Sequence, residues 1–341
     1  MMKIDHRLTV IDSHTAGEPT RMILSGYPRL TGATLAERMA ELRDHHDWVR
    51  RVAMTEPRGH RDMFGCVLMP PVDPAADIAA IFMDAGRYYN MCGHASLGIA
   101  GMMVETGRVP TTPPETRVVI ETPAGLVTAT VATDAEGAVV GVSVIDVASF
   151  AVELDRVIEV PGFGPLRVDI GYGGNFFVIA RAEDMGFADV GPALTDPLIA
   201  AGVALRAAAN AQIPVCHPER PHIDRIDIAM LTGPPTRDAD ARSIVVLGDG
   251  QADRSPCGTG TCARMAVLHA GGALAVGQAW RHQSSIGTVF DAQILSTTTV
   301  GEYSAVVPWI SCVPYLTGFS DLVVARGDPV GFGFSLQSQH A

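Results

Sequence analysis

Cys92-Gly93-His94-Ala95-Ser96-Leu97-Gly98-Ile99-Ala100 and Cys257-Gly258-Thr259-Gly260-Thr261-Cys262-Ala263-Arg264-Met265 share one pattern. Both open Cys-Gly, both place a hydroxyl residue four after the cysteine, and both run into helix-forming residues. They stand nearly half of the 341-residue chain apart. A repeat at that spacing speaks for the whole fold. A duplicated lobe carrying one such turn each sets two thiols facing across a cleft.

Outward from these turns, the pattern is strand-rich. Strands are expected at 8–12, 21–25, 66–69, 78–84, 139–147, 167–170, 176–180, 226–231, 243–247, 289–295 and 302–307. Ala53-Met54 is a further short candidate. The runs 118–121 and 126–131 flank Pro123-Ala124-Gly125 as a hairpin. Helical spacing covers 34–51, 95–105, 197–211 and 261–271, with Asp196 placed to cap the third and Pro197 suited to its first position. Gly248 to Gly258 reads as a turn. Many strands with few helices predict an α+β protein. Two mainly antiparallel lobes are expected, residues 1–148 and 149–319, with a final segment from about 320 to 341 returning to the first.

Composition narrows the function. The net charge is −12, so a nucleic-acid partner is a poor fit. There is no stretch of about 18 apolar residues and no signal-peptide pattern, so a reduced, cytoplasmic protein away from the membrane is expected. The six cysteines then need separate explanations. Cys-x-His at 92–94 and Cys-His at 216–217 lack the spacing of a metal site. No Gly-x-Ser-x-Gly nucleophile occurs.

The chemistry of the two turns is coherent. A thiol at a helix N-terminus lies near about half a positive charge, which lowers its pKa. Adjacent glycines let backbone N–H groups approach an anion. Each turn can hold a carboxylate while presenting sulfur to the neighbouring α-carbon. Inversion of that carbon needs a base on one face and an acid on the other. A thiol, with an ordinary pKa of about 8.5, serves either role after modest tuning. A lone cysteine is as often a small buried apolar residue; the pairing weighs against that here.

Asn90-Met91-Cys92-Gly93-His94 and Asp253-Arg254-Ser255-Pro256-Cys257-Gly258-Thr259-Gly260-Thr261 resemble the two signature motifs of the proline racemase family. The likeness continues through Ser13–Arg21, Glu56–Gly65, Gly173–Phe177, Gln251 and Gly287-Thr288. It implies a diaminopimelate-epimerase-like fold, each lobe a sheet curled around a central helix with the active site in the cleft between them. It also implies no metal or organic cofactor and a small-molecule substrate, proline or a hydroxyproline. By motif position Cys92 and Cys257 would be the acid/base pair. Backbone N–H groups of Gly93, His94, Gly258 and Thr259 would bind the carboxylate, Asp253 the ammonium, and Phe64 would line the ring pocket. A homodimer is expected only from general frequency.

Two positions depart from the family. Leu247 stands where proline racemases usually carry an aromatic residue, which leaves 4-hydroxyproline 2-epimerisation open. Cys262 stands where Ser is common and is expected to be a passive packing thiol. The dehydratases of trans-3-hydroxy-L-proline usually carry Thr in place of the second cysteine, so Cys257 favours inversion over elimination. A non-catalytic amino-acid-binding protein on the same fold is the reading from outside enzymology.

Overall fold

The computed structural model describes residues 3–236, 239–248 and 250–335. Its described strands form one continuous hydrogen-bonded network, mostly antiparallel, with four parallel pairings. Five α-helices accompany it: α1 (Leu35–His45), α2 (Trp48–Met54), α3 (Gly93–Glu105), α4 (Thr195–Gln212) and α5 (Gly258–Ala270). The fold is α+β, two similar lobes with a strongly curled sheet around one helix in each.

Those two helices are α3 and α5. Every residue of α3 from Gly93 to Val104 is buried, the signature of a helix enclosed on all sides. It packs against strands Val139–Ile145, Gly125–Thr133, Ile4–Thr15 and Pro314–Ala325. α5 packs in the same way against Ser149–Val160, Gly164–Tyr172 and Tyr303–Cys312. One apolar cluster contains both helices, while separate clusters hold α1 and α2 in the first half and α4 in the second.

Pairings between distant segments close each lobe. Strand Pro314–Ala325 runs antiparallel along the whole of Ile4–Thr15, so the chain's return to its first strand begins at Pro314, before position 320. Strand Tyr303–Cys312 bonds to both Val139–Ile145 and Ser149–Val160 and thereby ties the halves together. Residues 336–341 of the expected returning segment, and Asp249 of the expected 248–258 turn, lie outside the described residues.

Several local expectations are corrected. Ala53-Met54 is not a strand but the buried end of α2. The single helix expected over 34–51 is two, divided at His46-Asp47, with Thr34 and Glu37 forming a reciprocal capping box at its start. α4 begins at Thr195 after a short 3-10 turn, so Asp196 lies in its first turn rather than capping it. α3 and α5 each start at the glycine after the cysteine, two and three residues earlier than the sequence pattern indicates.

The reason for glycine there is steric. A Cβ on Gly93 would stand 2.5 Å from the Gly258 Cα, and one on Gly258 would stand 2.4 Å from the Gly93 Cα. The obstacle is backbone on both sides, which cannot swing away. Gly93→Ala is therefore expected to lower stability by about 1–3 kcal/mol through overpacking, read as a drop in thermal midpoint. Gly141→Ala, whose added carbon meets nothing closer than 3.9 Å, should shift it much less.

Candidate active site

Cys92 and Cys257 are the N-cap residues of α3 and α5. Because Gly93 and Gly258 touch, the two helix starts meet nose to nose, and the expected convergence of the cysteine turns is what the chain builds. Helix geometry leaves the first N–H groups of each helix without a carbonyl four residues back. Ala95 and Gly260 turn theirs toward the sulfurs, the latter at 3.4 Å. Those of Gly93, His94, Gly258 and Thr259 remain around the point where the helices meet.

The hydroxyls four residues on have a defined task. Ser96 Oγ donates to the Cys92 carbonyl and Thr261 Oγ1 to the Cys257 carbonyl, both at 2.7 Å. This back-bonding pins each helix start to its cysteine. Thr261 also meets Nδ1 of buried His282 at 2.8 Å, whose Nε2 reaches Ser243 at 3.0 Å. Burial holds the His282 pKa down at about 3, so the ring is neutral.

The residue two after each cysteine touches its sulfur. His94 Nδ1 lies 3.2 Å from Cys92 Sγ, and Thr259 Oγ1 lies 3.7 Å from Cys257 Sγ. Burial depresses the His94 pKa, leaving a neutral imidazole against the thiol. The Phe64 ring packs edge-on to His94, centroids 4.9 Å apart. Leu247 is buried in the same apolar cluster as both cysteines and Phe64. Asp253 is buried close to Cys257; its Oδ1 accepts the Ser255 N–H at 2.7 Å, and the Ser255 hydroxyl accepts the Cys257 N–H at 3.0 Å. Cys257 itself has φ of 68°, a left-handed conformation rare outside glycine.

The electrostatic expectation needs correction. Cys92 and Cys257 are only 7% and 4% exposed, and burial drives both pKa values up. The Ala95 and Gly260 N–H groups pull the other way but do not win, and the Asp253 charge raises Cys257 further. Enclosed in this way, both groups are thiols.

Glu18, Asp62 and Arg254 are gathered at the same place without having been singled out in the sequence. The Arg254 N–H donates to Glu18 Oε2 at 2.7 Å, and the Arg254 guanidinium pairs with Asp62 at 2.8 Å. His14 and His60 act as local acceptors, from the Gly17 and Asp62 N–H groups. All six cysteines are free. Cys66 is fully buried and half-buried Cys312 packs against the same apolar cluster, so packing accounts for both, while Cys216 is exposed. Cys262 is not passive, since its thiol donates to Asp146 Oδ2 at 3.6 Å. Among the described residues no His, Cys, Asp or Glu cluster is arranged to hold a metal, and no helix is long and apolar enough to cross a membrane.

Comparisons with known proteins identify the family and the fold. The sequence model of the family described as proline racemase matches residues 10–335. A proline racemase of Clostridioides difficile is 40% identical across 98% of this chain and 100% of its own length. A 3-hydroxyproline 2-epimerase of Burkholderia multivorans is 40% identical (98% and 99%), and a trans-3-hydroxy-L-proline dehydratase of Burkholderia cenocepacia 39% (98% and 99%). The crystal structure of a hydroxyproline epimerase from Agrobacterium vitis with bound trans-4-hydroxy-L-proline superposes with a TM-score of 0.92 at 31% identity, over 98% of this chain and 96% of that one. Fold and sequence together define an isomerase of the amino-acid racemase and epimerase class. The chain belongs to the proline racemase family.

Asp146 yields a test. Burial lifts its carboxyl from the ordinary 3.8 to about 7, opposed by hydrogen bonds from the Val147 N–H and the Cys262 thiol. The folded state therefore binds a proton that the unfolded state releases above pH 4. Its stabilising effect is full below pH 4 and lost as pH rises through about 7. Asp146→Asn should gain on the parent by a few kcal/mol (~1.4 per pKa unit) between pH 5 and 8 in denaturant titrations. A constant difference across that range would contradict the assignment.

Proposed function

We propose that this protein inverts the α-carbon of proline or a hydroxyproline by proton transfer between Cys92 and Cys257, without a cofactor. The observation that supports this is the contact of the two Cys-Gly helix starts at Gly93 and Gly258, since inversion needs one sulfur on either side of an anion held between them. Two helix N-termini brought together repel unless a negative charge lies between them. The substrate carboxylate meets that need, taking N–H groups of Gly93, His94, Gly258 and Thr259. Asp253 receives the ammonium in a charge-assisted hydrogen bond, and Phe64 and Leu247 enclose the ring.

With the carboxylate so held, the α-hydrogen faces one sulfur and the opposite face of the carbon faces the other. One thiolate takes the proton while the opposite thiol donates its own, leaving an inverted product and the two sulfurs exchanged in protonation state. Burial makes a thiolate costly at either cysteine. The arriving ammonium brings positive charge and partly offsets the Asp253 carboxylate, so deprotonation is eased when substrate is present. Neutral His94, whose ring also donates to the Pro19 carbonyl, keeps its other nitrogen as an acceptor for the Cys92 thiol.

The lobes in this scheme are residues 1–148 and 149–319, with the final segment belonging to the first. A reducing cytoplasm suits a site needing two free thiols. A net charge of −12 suits a small ligand rather than nucleic acid, and a homodimer is compatible with it. Leu247 favours a second reading, a hydroxyproline in preference to plain proline, because an aliphatic side chain leaves more room than an aromatic wall. A thiol at position 257 supports inversion over the dehydration named for some relatives, since a hydroxyl is a far weaker proton donor.

Cα deuterium incorporation and optical rotation, followed in deuterated water with each isomer of proline, 3-hydroxyproline and 4-hydroxyproline, provide the check. Inversion of at least one pair is expected. Cys92→Ser and Cys257→Ser should each reduce it by about 10²- to 10⁴-fold, the usual worth of an acid/base group. Inversion at the parent rate by either variant, or no exchange with any isomer, would remove the two-thiol mechanism.

A further inference from the structure

The segment that carries Asp253 and leads to Cys257 is held from the opposite half of the chain. The Arg254 N–H donates to Glu18 Oε2 at 2.7 Å; the Ala252 N–H points at Asp62 Oδ1 at 3.4 Å; the Arg254 guanidinium donates to Asp62 Oδ2 at 2.8 Å. N–H groups two residues apart on a strand share a side, so both carboxylates grip one edge of the segment. Its other edge pairs with Val245–Leu247 in its own lobe. The link then runs on through Ser255 N–H to Asp253 Oδ1 and Cys257 N–H to Ser255 Oγ.

Glu18 is 1% exposed and Asp62 7%. Burying a carboxylate is costly without hydrogen-bond partners, and for Glu18 the partner comes from the other lobe. Glu18 also follows a tight turn at Ala16-Gly17 that the second half engages twice more. Thr288 Oγ1 donates to the Ala16 carbonyl at 2.8 Å, and Gly17 packs on Ile286. The Cys92 turn is held differently, by Asn175 Nδ2 donating to the Met91 carbonyl at 3.0 Å.

We propose that Glu18, with Asp62, is a positioning residue that holds the Asp253–Cys257 segment from the opposite half of the chain. Loss of either carboxylate leaves the Arg254 or Ala252 N–H without its partner from the opposite half and loosens the segment that leads to the second thiol. Glu18 touches neither sulfur. It acts through the Arg254 backbone, and this role rests on the two-thiol mechanism.

The test compares proton exchange with inversion. It uses the enantiomer that Cys257→Ser still exchanges in deuterated water, which is the one deprotonated by Cys92. Loosening the Cys257 side should let that isomer exchange without being inverted. Burial lifts the Glu18 carboxyl well above the usual carboxylate range. Glu18→Ala is therefore expected to raise the exchange-to-inversion ratio several-fold, up to about tenfold, the range for losing one uncharged hydrogen bond. Glu18→Gln keeps an oxygen acceptor for the Arg254 N–H and should restore most of the parent ratio. A general loss of folding would lower both rates together and leave the ratio unmoved.

Equal ratios in the parent and Glu18→Ala would overturn the proposal. So would an equal rise in Ala and Gln, which would assign the effect to the charge that Glu18 also exerts on Cys92. Should Glu18→Ala fail to fold, Asp62→Ala carries the comparison, and an unchanged ratio there overturns the proposal as well. A parent that neither exchanges nor inverts any isomer would instead dispose of the two-thiol mechanism.

Discussion

Everything in this molecule is arranged around an approach that isolated helices would resist. α3 and α5 meet end to end at their N-termini, Gly93 against Gly258, with the same partial charge on each. Only glycine on both sides permits the contact. Curled sheets supply the force that keeps it, burying each helix on all faces so that neither can withdraw. The cysteines, the clustered N–H groups and the acidic side chains behind them all take their positions from that meeting point.

Much of this was legible in the sequence. The repeated Cys-Gly turn and the hydroxyl four residues later give the internal symmetry, and the hydroxyls prove to be the bonds that fasten each helix start. Strands with alternating or continuous apolar character, such as Phe64–Met69 and Ile226–Gly233, announce themselves. Ser149–Val160 and Pro314–Ala325 do not, because their middles are exposed and polar. They are strands by virtue of their partners: Pro314–Ala325 lies along distant Ile4–Thr15, and Ser149–Val160 pairs with its hairpin neighbour Gly164–Tyr172 and with distant Tyr303–Cys312.

The same limit applies at the site. Cys92, Cys257, Phe64 and Asp253 stand in recognisable motifs. The His94 ring on Cys92 could have been suspected from the spacing of two, which had been weighed only as a metal motif. Glu18 and Asp62 lie in stretches that share the family likeness, but their role is not legible there, since what matters about them is the Arg254 and Ala252 N–H groups brought from the other half. Cys262 misleads for a similar reason: its partner, Asp146, is over a hundred positions away and enters the core as a buried acid. The thiol acidity suggested by a helix N-terminus is likewise reversed by enclosure, a property of the closed fold rather than of the turn.

The two halves are alike without being identical. Cys92 has an ordinary extended backbone and an imidazole at its sulfur, while Cys257 has a left-handed backbone and a hydroxyl. The two isomers of proline, being mirror images, have equal free energies in solution, so their equilibrium constant is one whatever the catalyst. A catalyst interconverting them must show the same kcat/KM in both directions, however unlike its two acids are. The unlike caps are therefore free to differ only in how each direction divides that quotient between turnover and saturation. Structural asymmetry of this kind would set which antipode occupies the resting enzyme, and would have no influence on which one accumulates.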